Sequence, residues 1–453
     1  MNEGQRKTTR TVRVAFHTLG CRLNQYDTEA MKAALPADWD CRVVAWEEPA
    51  DVYVLNSCTV TLKADQKCRQ MARQVKRRHP HARVVVTGCY AQTQPGDLSA
   101  IPEIDAVLGI QDRAAVDRWL PRVLSESEPL VEVSAYARRL EFSDRPILDF
   151  DGRTRAFVKV QDGCDLRCSY CLIREARGPG RSRPWESVER QLALLRDRGF
   201  REVVLAGVHL GSYGIDLGEG RSLPRLLERA AVAFPDLRLR ISSIHPNDVT
   251  DELLDIMAEH NNIQPYLHVS VQSGSDDVLR AMRRPYAAAV VAEALDLAAA
   301  RIPLVGLGAD VIVGFPGETE DDFRATYDLL ASSPLAYLHV FRYSPRPGTP
   351  AAALTPVHTE TVTDRSRRLR ALSAGLRRRF EERLLGVPLP AVVETDRPLP
   401  GWVRTTTGNY ATVLVPDNLP EGTVVTVRPT ARRDGFLRDP HPEIEVPARE
   451  EAS

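Results

Sequence analysis

Three cysteines crowd into the run QDGCDLRCSYC, where Cys164, Cys168 and Cys171 take the spacing C-x3-C-x2-C. Zinc sites ordinarily arrive as two C-x2-C pairs that supply four ligands, and ferredoxin-type runs repeat the x2 spacing and add a fourth cysteine. Here no fourth ligand is near. Three thiolates hold three irons of a [4Fe–4S] cube and leave the fourth iron open to a small molecule, which a purely structural or electron-carrying site does not need. A structural zinc or a chance cluster is the competing reading.

A second set is spread along the first hundred residues. Cys21 (TLGC), Cys58 (LNSC) and Cys89 (VTGC) each follow a short β-branched apolar run, at 12–17, 51–56 and 83–88. Helix-length stretches separate these runs, the spacing of strand–helix–strand units in a parallel α/β sheet. Parallel strand ends converge on one edge, so three thiols far apart in sequence become neighbours. A second three-cysteine iron–sulfur cluster is the economical reading, and three buried strand-end cysteines the plainer one. Cys41 precedes its apolar run and Cys68 falls mid-helix, so both read as small core fillers.

The elements that must position the first triad begin after a variable stretch near 122–150. Six apolar runs (156–160, 202–207, 237–243, 266–272, 305–315 and 336–341) alternate with amphipathic segments such as 185–199, 251–260 and 318–332. Six βα repeats predict a partial barrel, with the cysteine loop directly after its first strand. Sites in such barrels lie at the C-terminal ends of strands. The candidate walls are therefore Ala206–Gly207–Val208–His209, Ser242–Ser243, Gln272–Ser273–Gly274 and the turn from Gly314 through Gly317 to Glu318, where small residues let a ligand approach backbone. Residues 365–384 read as one charged helix with eight Arg against two Glu. Beyond it, 389–449 alternates apolar and polar positions around Gly, Pro and Asn turns, the pattern of a small antiparallel β module of about five strands.

Length and composition set the bounds. A chain of 453 residues asks for two to four cores. Hydrophobic residues at 43% and charged residues at 27% exclude disordered and fibrous classes. Lys+Arg at 60 against Asp+Glu at 61 leaves a net charge of -1, so any polyanion site is a local patch. Eight Lys/Arg against Asp65 alone lie between Lys63 and Arg83, and Arg174, Arg177, Arg181 and Arg183 trail the cysteine loop. Arg177, Arg181 and Arg183 are the candidate RNA contacts there, as phosphate-positioning groups. The opening residues, MNEGQRKTTR, are polar, and no window approaches the 18 apolar residues of a membrane span, so a cytoplasmic location without membrane contact is expected.

The cysteine loop after a first barrel strand resembles the radical S-adenosylmethionine superfamily, and the two triads in this order, closed by a β module, resemble its methylthiotransferase family across nearly the whole chain. The resemblance is carried by TLGCRLNQYDTE (18–29), LNSCTVTLKADQKCRQ (55–70), TGCYAQ (87–92), VKVQDGCDLRCSYCLIREARG (158–178), LAGVHLGSYG, YLHVSVQSGSDDVLRAMRRPY and FRYSPRPGTPAA. Arg174 departs from it, standing where relatives usually carry Pro. The resemblance implies an α/β chain of three parts: an N-terminal parallel α/β domain (10–125) with an auxiliary cluster on Cys21, Cys58 and Cys89; a partial (βα)6 TIM-like radical barrel (150–384) with a cluster on Cys164, Cys168 and Cys171; and a small antiparallel β-barrel, the RNA-binding TRAM domain (385–449). It implies two [4Fe–4S] clusters and S-adenosylmethionine, the latter bound along Ala206, Gly207, Ser243, Gln272, Gly314 and Gly317. The implied partners are tRNA, a reducing electron donor and a sulfur donor of unknown identity. The implied reaction adds a methylthio group to C2 of threonylcarbamoyladenosine at position 37 of tRNA. The same chemistry on isopentenyladenosine tRNA or on a ribosomal protein is the nearest alternative, and a non-catalytic iron–sulfur or zinc RNA-binding protein the alternative of another class.

Overall fold

The structure, a computed structural model, describes residues 11–136, 142, 146–150 and 152–445. They fall into two compact units, each discontinuous in sequence. The first is drawn from Met1–Ile147, Gly163–Pro179 and Ser344–Ala352, the second from Leu148–Asp162, Gly180–Tyr343 and Ala353–Ser453. This partition differs from three consecutive domains. The cysteine loop after the first barrel strand joins the N-terminal unit, and the C-terminal β module is one body with the barrel.

In the first unit, strands β1 (Val12–Thr18), β2 (Cys41–Val44), β3 (Val52–Ser57), β4 (Arg83–Gly88), β5 (Ala106–Leu108) and β6 (Leu130–Glu132) form one sheet in the order β2-β1-β3-β4-β5-β6. Every neighbouring pair is parallel. All six residues of β3 are buried, as befits a strand covered by helices on both faces. One core gathers Leu55, Cys68, Val84 and Tyr90, and another Val14, Val54, Val85 and Trp119. The helix Leu62–Arg78 starts where the Thr61 hydroxyl accepts from the Ala64 N–H, and it ends on Lys76, Arg77 and Arg78, suited to the negative end of its dipole. Strand order reverses between β1 and β3. Such a switch point opens a crevice at the carboxyl ends of its strands.

The second unit contains all six expected barrel strands: β7 (Arg155–Lys159), β8 (Glu202–Ala206), β9 (Arg238–Ile241), β10 (Tyr266–Gln272), β11 (Gly306–Val313) and β12 (Tyr337–Arg342). The first three form a parallel sheet in the order β9-β8-β7. The last three continue a second parallel sheet that begins with the short strand Ser243–Ile244. Along β10 the apolar Leu267, Val269 and Val271 alternate with Tyr266 and His268, which meet Tyr337 of β12 and Asp310 of β11 on the barrel's inner side.

The C-terminal module is a seven-stranded mixed sheet, larger than the expected five antiparallel strands. The parallel pairing of Val413 with Leu437 breaks the antiparallel pattern. Its loop at 407–411 forms the floor of the barrel. The Tyr410 ring stacks on Tyr266 with centroids 4.5 Å apart, and lies 5.1 Å from the Arg240 guanidinium and 5.7 Å from that of Arg155. Arg240 donates to the carbonyls of Gly408 at 2.8 Å and Thr407 at 3.1 Å. Gly306 is glycine because a Cβ there would lie 1.9 Å from the Asn409 carbonyl oxygen. Beneath this contact the fully buried Glu202 accepts from Arg240 at 2.8 Å and Arg238 at 3.3 Å. Burial opposes its ionisation, but these guanidiniums and that of Arg155 bring its pKa down to about 2. Among the described residues no helix is long and apolar enough to cross a membrane.

Candidate metal centre and cofactor site

Both cysteine triads belong to the first unit. Cys21 N-caps the helix Arg22–Lys32 just past β1, Cys58 follows β3, and Cys89 opens the short helix Cys89–Thr93 directly after β4. Cys21 and Cys58 thus flank the switch point. Asn24, buried in the first turn after Cys21, knits these ends together: its side-chain amide donates to the carbonyls of Leu19 and Ser57, both at 2.9 Å. Its Oδ1 lies 3.9 Å from Cys89 Sγ. Burial pushes the Cys58 thiol up to about 12, with neighbouring Cys89 and Cys21 adding to the shift. Burial also raises Cys89, whereas Arg177 and Arg113 pull it back. Two guanidiniums therefore favour the thiolate that metal ligation requires.

Those arginines converge on one carboxylate. Asp27 Oδ2 lies 2.5 Å from Arg113 and 2.9 Å from Arg177, and Arg177 also donates to Asn24 Oδ1 at 2.5 Å. Arg177 ends the helix Ile173–Arg177, which follows the second triad. The loop holding Cys164, Cys168 and Cys171 is closed by a hydrogen bond from the Cys164 N–H to the Gly178 carbonyl at 3.0 Å. Gly163 enters it at φ +72°, where an added Cβ would stand 1.9 Å from the Pro179 carbonyl oxygen. Arg174 crosses the loop to the Asp165 carbonyl at 2.8 Å, which gives a local reason for arginine at that place. The Ile173 N–H donates to Cys171 Sγ at 3.4 Å, and the Val60 N–H to Cys58 Sγ at 3.5 Å, contacts that stabilise sulfur as an anion. Each triad thus offers three sulfurs from rigid strand ends or a closed loop, with backbone donors or guanidiniums nearby. This donor set fits an iron–sulfur cube that keeps one iron open.

Burial corrects the expected RNA contacts. Arg177 is 1% exposed and bound as described, and Arg183 is 2% exposed with its Nε on Ser187 Oγ at 2.7 Å. Arg181 is held by Asp162 at 3.0 Å. Arg177 and Arg183 thus build the structure, and Arg181 is part-buried and paired. On the 365–384 helix Arg365 is buried on Glu318 and Glu320, Arg368 pairs with Glu320 and Arg377 covers the Tyr337 ring, whereas Arg367, Arg370, Arg378, Arg379 and Arg383 are exposed. On the helix Leu62–Arg78, Lys63, Lys67, Arg73, Arg77 and Arg78 are likewise exposed, whereas Arg69 and Lys76 are engaged by Tyr90 and Asp105.

In the second unit the candidate cofactor walls all lie at C-terminal strand ends. Ala206 closes β8 and Gly207 follows it; Ser243 opens the short strand after β9; Gln272 ends β10; Gly314 and Gly317 follow β11. Gln272 adopts φ +65° where the β10–β11 register shifts, a strained conformation of the kind held at ligand sites. Glu318 folds back to accept from the Gly314 N–H at 2.7 Å and fastens that turn. Gln161 Oε1 accepts from the N–H groups of Val208 and His209, both at 2.9 Å, and so shapes the β8 wall. Asn24, Asp27, Arg113 and Gln161 escaped the sequence reading. The first two stand inside the NQYD stretch, so their signal was present, but the partners that give them a role are distant in the chain.

Two family models match this chain: the radical SAM superfamily over residues 158–330 and the uncharacterized protein family UPF0004 over residues 13–109. The threonylcarbamoyladenosine tRNA methylthiotransferase MtaB of Bacillus subtilis (strain 168) is 40% identical over 84% of this chain and 86% of that protein. The tRNA-2-methylthio-N(6)-dimethylallyladenosine synthase of Acidothermus cellulolyticus is 36% identical over 78% of this chain and 72% of that protein. Among solved structures, the radical S-adenosylmethionine methyltransferase TsrM of Kitasatospora setae, with cobalamin and a [4Fe-4S] cluster bound, superimposes with a TM-score of 0.55 at 15% identity, covering 76% of this chain and 74% of that one, which marks a shared fold.

Proposed function

The chain belongs to the radical S-adenosylmethionine methylthiotransferases of tRNA, and from that membership we propose that it converts threonylcarbamoyladenosine at position 37 of tRNA to the 2-methylthio derivative. The observation that carries the reading is the presence of both three-cysteine sets in one compact unit, all six thiols unbridged. Cys164, Cys168 and Cys171 hold the cluster that meets S-adenosylmethionine, and Cys21, Cys58 and Cys89 hold the auxiliary one. When bound, these clusters supply the one-electron cleavage of the cofactor and the place from which sulfur is delivered.

The protein's own groups orient and shield. Arg113 and Arg177 favour the auxiliary thiolates, Asn24 sets the spacing of the three strand ends, and the closed Cys164–Gly178 loop fixes the second triad. Ala206, Gly207, Ser243, Gln272, Gly314 and Gly317 offer backbone and small side chains to the nucleoside end of S-adenosylmethionine. Tyr410 and the Arg240–Glu202 pair close the barrel floor, which keeps water from a reactive interior. The exposed bases of the helix Leu62–Arg78 take the place of the buried arginines as phosphate contacts, and an external electron donor and sulfur donor complete the system. Its tRNA substrate places the enzyme in the cytoplasm.

The test offers unmodified, threonylcarbamoylated and isopentenylated tRNA in parallel to the reconstituted enzyme and measures methylthio nucleosides by mass spectrometry. Product on the threonylcarbamoylated tRNA is expected. Product on the isopentenylated tRNA alone would overturn the substrate and leave the chemistry standing.

A further inference from the structure

Three strands of the barrel bring two imidazoles and a carboxylate together in a group that neither the clusters nor the cofactor walls use. Strand register does this. His268 of β10 lies opposite Gly308 of β11, Gly308 lies opposite Tyr337 of β12, and Asp310, two residues further on, lies opposite His339. Residues two apart on a strand share a face, so His268, Asp310 and His339 stand on the same side as Tyr266 and Tyr337. Asp310 Oδ1 lies 2.8 Å from His268 Nε2 and 3.4 Å from His339 Nδ1. One donor atom from each of the three residues stands within 4.8 Å of the others, and the two imidazole rings have centroids 4.8 Å apart. Gly308 makes the room, because a Cβ there would stand 2.6 Å from His268 Nδ1 and 2.6 Å from Cζ of Tyr337.

Two imidazole nitrogens and a carboxylate oxygen are a donor set for a first-row divalent cation, zinc among them, and three protein ligands leave a fourth position for water. Zinc bonds of about 2.0–2.2 Å to such donors hold the donor atoms roughly 3–3.6 Å from one another, and the two spacings around Asp310 Oδ1 are already close to that. The outer contacts fit as well. A ligating histidine donates its other ring N–H to a neighbouring acceptor, and His268 Nδ1 lies 3.2 Å from the hydroxyls of both Tyr266 and Tyr337, which are 2.5 Å from each other. Exposure rises along the group, with the side chain of His268 5% exposed, Asp310 22% and His339 54%, so an ion can enter past His339. Among the described residues β12 is the edge strand of its sheet, and no further strand pairs with its outer side. A hydrogen-bonded chain of the same three residues without an ion is the competing arrangement, and it asks both imidazoles to donate to a single carboxylate oxygen. We propose that His268, Asp310 and His339 form a zinc site, built without any of the six cluster cysteines and open to solvent at one position, that clips the last strand of the partial barrel to β10 and β11.

The experiment dialyses the full-length protein, with its iron–sulfur clusters reconstituted under anaerobic conditions, against micromolar Zn2+ and measures zinc and iron by elemental mass spectrometry. The unaltered protein is expected to hold one zinc per chain at unchanged iron content, and zinc should raise its thermal midpoint, since an ion that binds only the folded chain stabilises it. His339→Gln, a change on the exposed side of the group, and Asp310→Asn should each lose this zinc and the thermal shift. His245→Gln, which alters the other gathering of imidazoles and carboxylate, His209, His245 and Asp248, should keep both. X-ray absorption at the zinc edge should show nitrogen and oxygen ligands with an imidazole pattern. Zinc–sulfur bonds of about 2.3 Å would place the ion on cysteine and overturn the assignment. No zinc retained by the unaltered protein, equal zinc in His339→Gln, or zinc lost in His245→Gln would each overturn it as well. Iron content and circular dichroism check that the variants fold; should Asp310→Asn fail that check, His339→Gln decides, because a side chain 54% exposed carries little of the core.

Discussion

Cysteine at three strand ends is an ordinary core choice; what makes Cys21, Cys58 and Cys89 unlike Cys68 is the company they keep. Cys68 lies fully buried in a helix, its thiol pushed up to about 12 by burial, with Asp65 adding to the shift. Near Cys89 two arginines work against burial instead. We therefore expect two cubes and about eight irons in the reconstituted protein. Changing Cys164, Cys168 and Cys171 together to Ala should leave about four irons and abolish cleavage of S-adenosylmethionine. Changing Cys21, Cys58 and Cys89 instead should keep reductive formation of 5′-deoxyadenosine while the methylthio product disappears. Iron analysis and product chromatography decide this, and equal loss of both activities in the second variant would make the N-terminal triad structural. Cys68→Ala should keep both clusters.

At the level of elements, the barrel floor is an ion cluster capped by a loop. Glu202 ionises more readily in the folded chain than in the unfolded one, so its stabilising contribution is complete above an unfolded pKa of about 4.5 and is lost as pH falls toward its folded value of about 2. Glu202→Gln should destabilise the protein at neutral pH by about 3–5 kcal/mol, since it strands buried guanidiniums. The deficit relative to the parent should shrink as the pH is lowered from about 4.5 toward 2, as followed by denaturant unfolding at several pH values; a deficit constant over that range contradicts the assignment. The module that supplies Tyr410 shares one core with Tyr266, Tyr337, Phe380 and Leu384. Each aromatic ring buries roughly 150–250 Å², worth several kcal/mol at about 25 cal/mol per Å², and a domain's net stability is only about 5–15 kcal/mol. Deleting residues 386–453 should therefore yield an aggregating or unfolded barrel, in contrast to a module attached only to grip RNA. A truncated protein with unchanged thermal unfolding and cofactor cleavage would show the floor to be dispensable.

For the whole molecule, a net charge of -1 leaves tRNA binding to local surfaces. With Arg177, Arg183 and Arg365 buried, the exposed row on the helix Leu62–Arg78 is one surface open to phosphates, beside the exposed arginines of the 365–384 helix. Lys67→Gln, Arg73→Gln and Arg77→Gln combined should weaken tRNA binding and lower the slope of log affinity against log salt by roughly one for every phosphate that is no longer neutralised. Filter binding from low to physiological salt measures this, and an unaltered slope would move the interface elsewhere.

Short-range signals were legible in the chain itself: the two cysteine spacings, the three strands that end on Cys21, Cys58 and Cys89, and the six βα repeats. Each is written within about ten residues as an apolar run, a turn and a ligand type, so local physics suffices to read it. Ownership of the cysteine loop was a tertiary decision. It rests on Arg177 meeting Asp27 across 150 positions and on Arg346 meeting Asp65 across 281. The same holds for Arg177 and Arg183, which look like part of an RNA patch in one dimension and become buried struts in three, and for Tyr410, which seals a barrel begun about 250 residues earlier. A guanidinium reads alike in sequence whether water or a carboxylate completes it; only the folded chain brings the carboxylate within 3 Å, and there burial and pairing decide whether it holds structure or meets a partner.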